Sequence, residues 1–245
     1  MSIYYQKIHF NNKDYSVSIR KMRRKTISVK LDLCGQIEVK APWLASRSTI
    51  LEFIDQNTNW ILRQLKKHED SLVGKFKQDI TENRVIFIWG NPCTIDYQFN
   101  NGKCVTLDGQ KLVVSCKNLS HGKKMVKQWA FDEMYRVTQQ QLEQATQSCK
   151  NLIDCSNISL SLRKMTRSLG SMSTNNLMKI SHNLLHMPLL CLQGIIFHEL
   201  AHIVHKNHSP SFYSLLDSVF LQRKESDNLI MHYVKVANLC MNSIR

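Results

Sequence analysis

Over the first forty-odd residues apolar and polar side chains alternate with period two. TISVKLDL (26–33) and QIEVKA (36–41) lie on either side of Cys34-Gly35. Such alternation predicts half-buried strands, and the intervening glycine predicts a hairpin turn. From Ser46 to His68 the period changes, with apolar residues at Ile50, Leu51, Phe53, Ile54, Trp60, Ile61 and Leu65. This spacing predicts a helix with Ser46 or Ser48 as its cap. Period two returns in RVIFIWGNPCTIDYQF (84–99) and CVTLDGQKLVVSC (104–116), with turn signals at Asn101-Gly102 and Asp108-Gly109. The N-terminal part therefore reads as an antiparallel β-hairpin meander with one inserted helix.

The pattern then turns helical. Ser120 to Lys150 carries spaced apolar residues (Met125, Trp129, Met134, Val137, Leu142) in a Gln- and Lys-rich background, which predicts one long helix. NISLSLRKM (157–165) and LMKISHNLL (177–185) read as strands separated by a polar loop, 166–176. An apolar run beginning near Pro188 predicts a buried helix, and Ser209 to Phe220 predicts another. The tail has helical spacing at Leu229, Ile230, Tyr233, Val234 and Ala237. No internal repeat is visible. The shift of composition near 117–120 divides a β-rich region, 1–117, from a second region, 118–245. The fold class expected is α+β, the second region having a functional helix packed on a small sheet.

Composition narrows the classes. With 43% hydrophobic residues the chain resembles a globular protein, and no run of about 18 apolar residues offers a membrane span. MSIYYQKIHFNNKDY has no signal-like stretch, so a cytoplasmic location is the expectation. The eight cysteines include no Cys-x-x-Cys pair, which favours reduced thiols over a disulfide framework or a sulfur-bound metal. The net charge is +14, part of it in Arg20, Lys21, Arg23, Arg24 and Lys25. A patch of this kind fits nucleic acid or an acidic partner, and equally a solvated basic face.

One segment carries sharper chemistry. FHELAHIVHKNHSPSF (197–212) holds His198, Glu199, His202 and His208. Residues four apart stack on one helix face, so His198 and His202 can direct imidazole nitrogens at a single ion. Glu199, about 100° round the helix, is directed at a metal-bound water instead. The third ligand must come from beyond the helix. Asn207 suits a left-handed helix end, Ser209-Pro210 suits the start of the next helix, and His208 falls at the turn between them. His205 shares a face with His202 and reads as a neighbour of the ligands. Three neutral imidazoles leave a coordination position open, the mark of a catalytic zinc site.

HELAH followed after five residues by HSPSFY resembles the YgjP-like metallopeptidase family, and the likeness runs along most of the chain. RRKTISVKLDLCGQIEVKAPW is similar to that family's basic hairpin, FIDQNTNWI to its next helix and FIWGNPCTI to its glycine-marked strand. The resemblance implies a zincin-like C-terminal part and one Zn2+ per chain on His198, His202 and His208. It implies Glu199 as general base and a peptide or protein as substrate. Where the family usually has Arg-Trp-Gly-Ser-Cys, this chain has Ser168-Leu169-Gly170-Ser171-Met172, with Arg167 one place earlier. A tyrosine four residues before the motif is Gly194 here. Tyr213, His205 and Arg167 are candidates for the oxyanion donor. Either strand of the second region offers an edge for an extended peptide. Two other readings remain at this stage: a protease working on nucleic acid through the basic hairpin, and a zinc-stabilised binding module without turnover.

Overall fold

The computed structural model describes residues 3–10, 13–31, 36–165 and 167–243. The chain falls into two compact units, Met1–Lys77 and Gln78–Arg245. The compositional shift near 117–120 corresponds to a strand-to-helix junction within the second unit.

In the first unit β1 (Ile3–Phe10) and β2 (Lys13–Met22) pair antiparallel, as do β3 (Ser28–Leu31) and β4 (Ile37–Pro42). The latter is the hairpin expected from the alternation, while its Cys34-Gly35 turn lies outside the described residues. The two hairpins do not form a meander. β2 pairs with β4 in parallel register, Val17 opposite Ile37 and Ile19 opposite Val39, so the sheet order is β1-β2-β4-β3. Val17, Ile19, Ile37, Val39 and Ala41 point to one buried face, which is period two at work. The helix expected over 46–68 is two: α1 (Arg47–Gln56), capped by Ser46, and α2 (Thr58–Glu69). Asn57 breaks them, its side chain donating to the Phe53 carbonyl and its backbone N–H to the Ile54 carbonyl. Ile50, Ile54, Ile61 and Leu65 complete the core of this unit. α3 (Leu72–Thr81), which the alternation did not indicate, follows.

The second unit opens with β5 (Val85–Ile88), β6 (Asn91–Phe99), β7 (Cys104–Asp108) and β8 (Lys111–Cys116). Here too the middle pairing is parallel, Ile95 opposite Leu112, and the order is β5-β6-β8-β7. The strand plan of the first sheet is thus repeated, although no sequence repeat announces it. Asn101-Gly102 is a crossing link between strands that are not neighbours. α4 (Leu119–Cys149), capped by Asn118, is about 46 Å long. After it come β9 (Ser159–Arg163), β10 (Gly170–Met172) and β11 (Leu177–Ser181), with β11 central in the order β10-β11-β9. The polar stretch 166–176 therefore contains a strand, and LMKIS is a central strand with no free edge. The rest of LMKISHNLL is a 3-10 helix, His182–His186. α5 (Leu189–Val204), α6 (Pro210–Val219) and α7 (Arg223–Ser243) end the chain. One core joins the inner face of β5–β8 to α4, β11 and α5 through Ile86, Leu112, Met134, Ile180, Leu192 and Ile196. The architecture is α+β, and α5 packs on β10. No helix among the described residues is long and apolar enough to cross a membrane.

Candidate metal centre

α5 is apolar nearly all round, which buries it and leaves its C-terminal turn to present polar groups. It ends at Val204, earlier than the pattern of IVHK suggests, and Asn207 is not left-handed. His205 takes extended backbone as the C-cap, and its carbonyl accepts the Nδ1–H of His202 at 2.9 Å. A carbonyl can only accept, so Nδ1 of His202 carries the proton and Nε2 keeps its lone pair. The backbone of His205, more than its imidazole, is what reaches the site, fixing the tautomer of a ligand.

Ser209 accepts from the Phe212 N–H and Pro210 opens α6, as the sequence indicates. This start holds His208 against α5. Ligand atoms of His198, His202 and His208 all lie within 4.8 Å of one another. Nε2 of His198 and Nε2 of His208 are 3.0 Å apart. A tetrahedral zinc with bonds of 2.0–2.1 Å would hold its ligand nitrogens about 3.3 Å apart, so the set fits one small ion. Burial and the two neighbouring imidazoles push His198 down to about 4, which keeps it in the neutral, ligating form.

The residue missed at the sequence level is Phe212. It is fully buried, and its ring centroid lies 5.0, 4.7 and 4.9 Å from those of His198, His202 and His208. It is an apolar floor that restricts all three rings. Its signal in the chain was its place as the residue whose N–H the Ser209 cap engages.

Glu199 is 4% exposed. Burial raises its carboxyl to about 7, against the opposing effect of the Met172 N–H that donates to it. Gly170 lies where a Cβ would come 2.6 Å from Glu199 Oε1 and 2.6 Å from Ile195 Cγ2. The Gly of the 168–172 segment is thus needed for close approach of β10 to the carboxylate. Gly194 has a similar office, since a Cβ there would collide with Ser226 of α7.

The other candidates divide. Tyr213 stacks beside His208 with centroids 6.2 Å apart, and the Arg223 guanidinium sits 5.3 Å over its ring. Arg167 is exposed beside Leu169 and Ile195, with no contact to the imidazoles among the described residues. In the first unit, Lys21 donates to the Ala45 carbonyl and Arg24 to Ser28 and Thr26, while Arg20 lies 3.8 Å from Glu38. Arg23 and Lys25 belong to the same stretch, and no nucleic-acid partner is supported.

Three convergent imidazoles beside a buried carboxylate form a set that could hold one metal ion. The family model for the YgjP-like metallopeptidase domain matches residues 25–231, and the chain belongs to that family. Searches of the curated proteins and of the solved structures find no match. The family supports a metal-dependent peptidase acting on peptide substrates.

Proposed function

We propose that the protein is a zinc-dependent peptidase in which His198, His202 and His208 hold the ion and Glu199 is the general base. The observation that carries this reading is the convergence of the three imidazoles with a buried carboxylate one residue from the first. When bound, zinc supplies Lewis acidity toward a scissile carbonyl and acidifies a water. Glu199 removes the proton of the attacking water and returns it to the leaving amine nitrogen. In the metal-free protein burial holds this carboxyl near neutral pH, and a bound cation would draw it down toward the carboxylate form that a base needs. Tyr213, stacked beside His208, donates to the developing oxyanion. An extended peptide lies along the outer edge of β10, whose Met172 N–H already engages Glu199.

Metal analysis and a peptide-hydrolysis assay test the reading together. About one zinc per chain is expected in the wild type, with loss in His202→Ala and His208→Ala. Glu199→Gln should retain the zinc and lose about 10²–10⁴-fold in turnover. Tyr213→Phe should lose about 10²-fold with zinc retained. No bound zinc in the supplied wild type removes the proposal. Bound zinc without turnover on any peptide favours a binding module instead.

A further inference from the structure

A second cavity, of about 420 Å³, lies in the same unit but shares no lining residue with the metal centre. On one side is a stripe of α4, with Lys124, Lys127 and Phe131 on one helical face at intervals of three and four residues. On the other are Leu185 and His186 of the 3-10 helix, with Lys164 beyond β9. The volume is that of a small-molecule site.

Two features point toward an occupant. First, three exposed lysines, Lys124, Lys127 and Lys164, stand at the border of a cavity whose walls are otherwise mostly apolar, and no carboxylate lines it. Among the described residues none of the three is in an ion pair. Second, His186 is completely buried and lines the cavity, yet its Nε2 has no hydrogen-bond partner. Its Nδ1 lies 2.7 Å from the Phe87 carbonyl and must be the donor there. In a neutral ring Nε2 then holds a lone pair, so the missing partner is a donor. A buried acceptor left without one costs about 1–3 kcal/mol.

We propose that this cavity binds a small organic acid with an apolar body and an O–H or N–H donor close to its charged group. The acid group lies among Lys124, Lys127 and Lys164, and the donor meets Nε2 of His186. The apolar body packs on Phe131 and Leu185. His182, whose ring lies 5.2 Å from that of Phe131, closes the aromatic side. The ligand would thus touch the short helix that leads directly into α5.

The test uses the full-length, zinc-loaded protein and 8-anilinonaphthalene-1-sulfonate, an aromatic anion with an N–H, as a fluorescent reporter. One saturable site is expected. The Lys124→Gln/Lys127→Gln/Lys164→Gln protein should bind the reporter at least about tenfold more weakly. A control with the same loss of charge elsewhere, Lys66→Gln/Lys67→Gln/Lys103→Gln, should bind as the wild type does. Displacement then compares 3-phenyllactate with 3-phenylpropanoate, which differ only in the hydroxyl. The hydroxy acid should displace the reporter at about fivefold lower concentration. His186→Asn keeps a donor for the Phe87 carbonyl and removes the ring nitrogen at the Nε2 position, so it should abolish that preference. Equal weakening in the pocket and control proteins overturns the proposal, as does equal displacement by the two acids in the wild type. Should His186→Asn fail to fold, those two comparisons decide alone.

Discussion

The β1–β4 and β5–β8 sheets have the same strand order and the same parallel central pairing, yet only the second shares its core with the helix that carries His198 and His202. The first sheet closes its own core with α1 and α2. The second is tied to the chain entering α5: the Trp89 N–H donates to the Leu185 carbonyl at 2.7 Å, and the Phe87 carbonyl accepts from His186. Trp89 has φ 47° and Gly90 φ 83°, so the β5–β6 turn is a two-residue turn with both residues left-handed. A tryptophan pays about 1–2 kcal/mol for that conformation. The bond to Leu185 and the contact of its Nε1–H with Glu133 at 3.3 Å hold it there. A common strand plan therefore serves as a self-contained unit in one case and as a brace for the site helix in the other.

The largest effect should come from cutting the core of each sheet. Phe87→Ala removes a fully buried ring and should destabilise the second unit by about 3–5 kcal/mol. Zinc affinity should fall with it, because the lost ring packs on Tyr233 of α7, the helix that lies against α5. Ile19→Ala, equally buried, should cost its own unit about 2–5 kcal/mol and leave zinc affinity unchanged. Chemical denaturation and zinc titration of both variants measure this. Equal loss of zinc affinity would erase the distinction between the sheets.

Next in size is a pH effect confined to the second unit. Burial lowers His186 to about 4 from an ordinary 6.5, so between these values the unfolded chain binds the proton and the native chain does not. Its contribution is complete above pH 6.5, declines as the pH falls toward 4, and is flat below. The decline amounts to roughly 3 kcal/mol. His182, also held down chiefly by burial, acts in the same direction. Urea midpoints of the metal-free protein between pH 7.5 and 4 should show the loss, to which His198, also lowered to about 4, adds and Glu199, raised to about 7, is opposed, and His186→Leu should remove the His186 share alone. The first unit has no such buried histidine among its described residues; His9 lies exposed against Asp14.

What was readable in the chain was what is local. Period two found the strands, and the Ser46 and Ser209-Pro210 signals found the caps. The four-residue spacing of His198 and His202, with a helix start after His208, placed the three imidazoles together. Strand neighbours were not readable, because alternation fixes which face is buried and says nothing of whether β4 or β3 lies beside β2. β10 spans Gly170–Met172, too short to show a period. The break at Asn57 was hidden because Ile54 and Ile61, seven apart, keep one apolar stripe across both helices. Phe212 and Gly170 matter only through contacts made in three dimensions.

Smaller effects should mark where the brace and the site helix touch their neighbours. Gly194→Ala should drive a methyl into Ser226 and cost about 1–3 kcal/mol. Gly90→Ala should cost a similar amount or more, since its Cβ would stand 2.9 Å from the backbone nitrogen of Pro188, which cannot swing away. Thermal unfolding of both, with zinc present, is the measurement. If Gly90→Ala were neutral, the turn could not be pressed against the entrance of α5.

The smallest expected effect belongs to the other turn of the same sheet. Gly109 has φ 57°, and a Cβ there would meet nothing within 4 Å. Gly109→Ala therefore carries only the left-handed backbone cost of about 1–2 kcal/mol, partly offset by the reduced freedom of the unfolded chain. Its zinc affinity should equal that of the wild type. The pair Gly90→Ala and Gly109→Ala thus separates contact from conformation within one sheet. Both residues are left-handed, but only Gly90 faces the chain that leads to the metal ligands. A loss of zinc affinity in Gly109→Ala would mean that the whole sheet, not only its β5–β6 turn, supports the site.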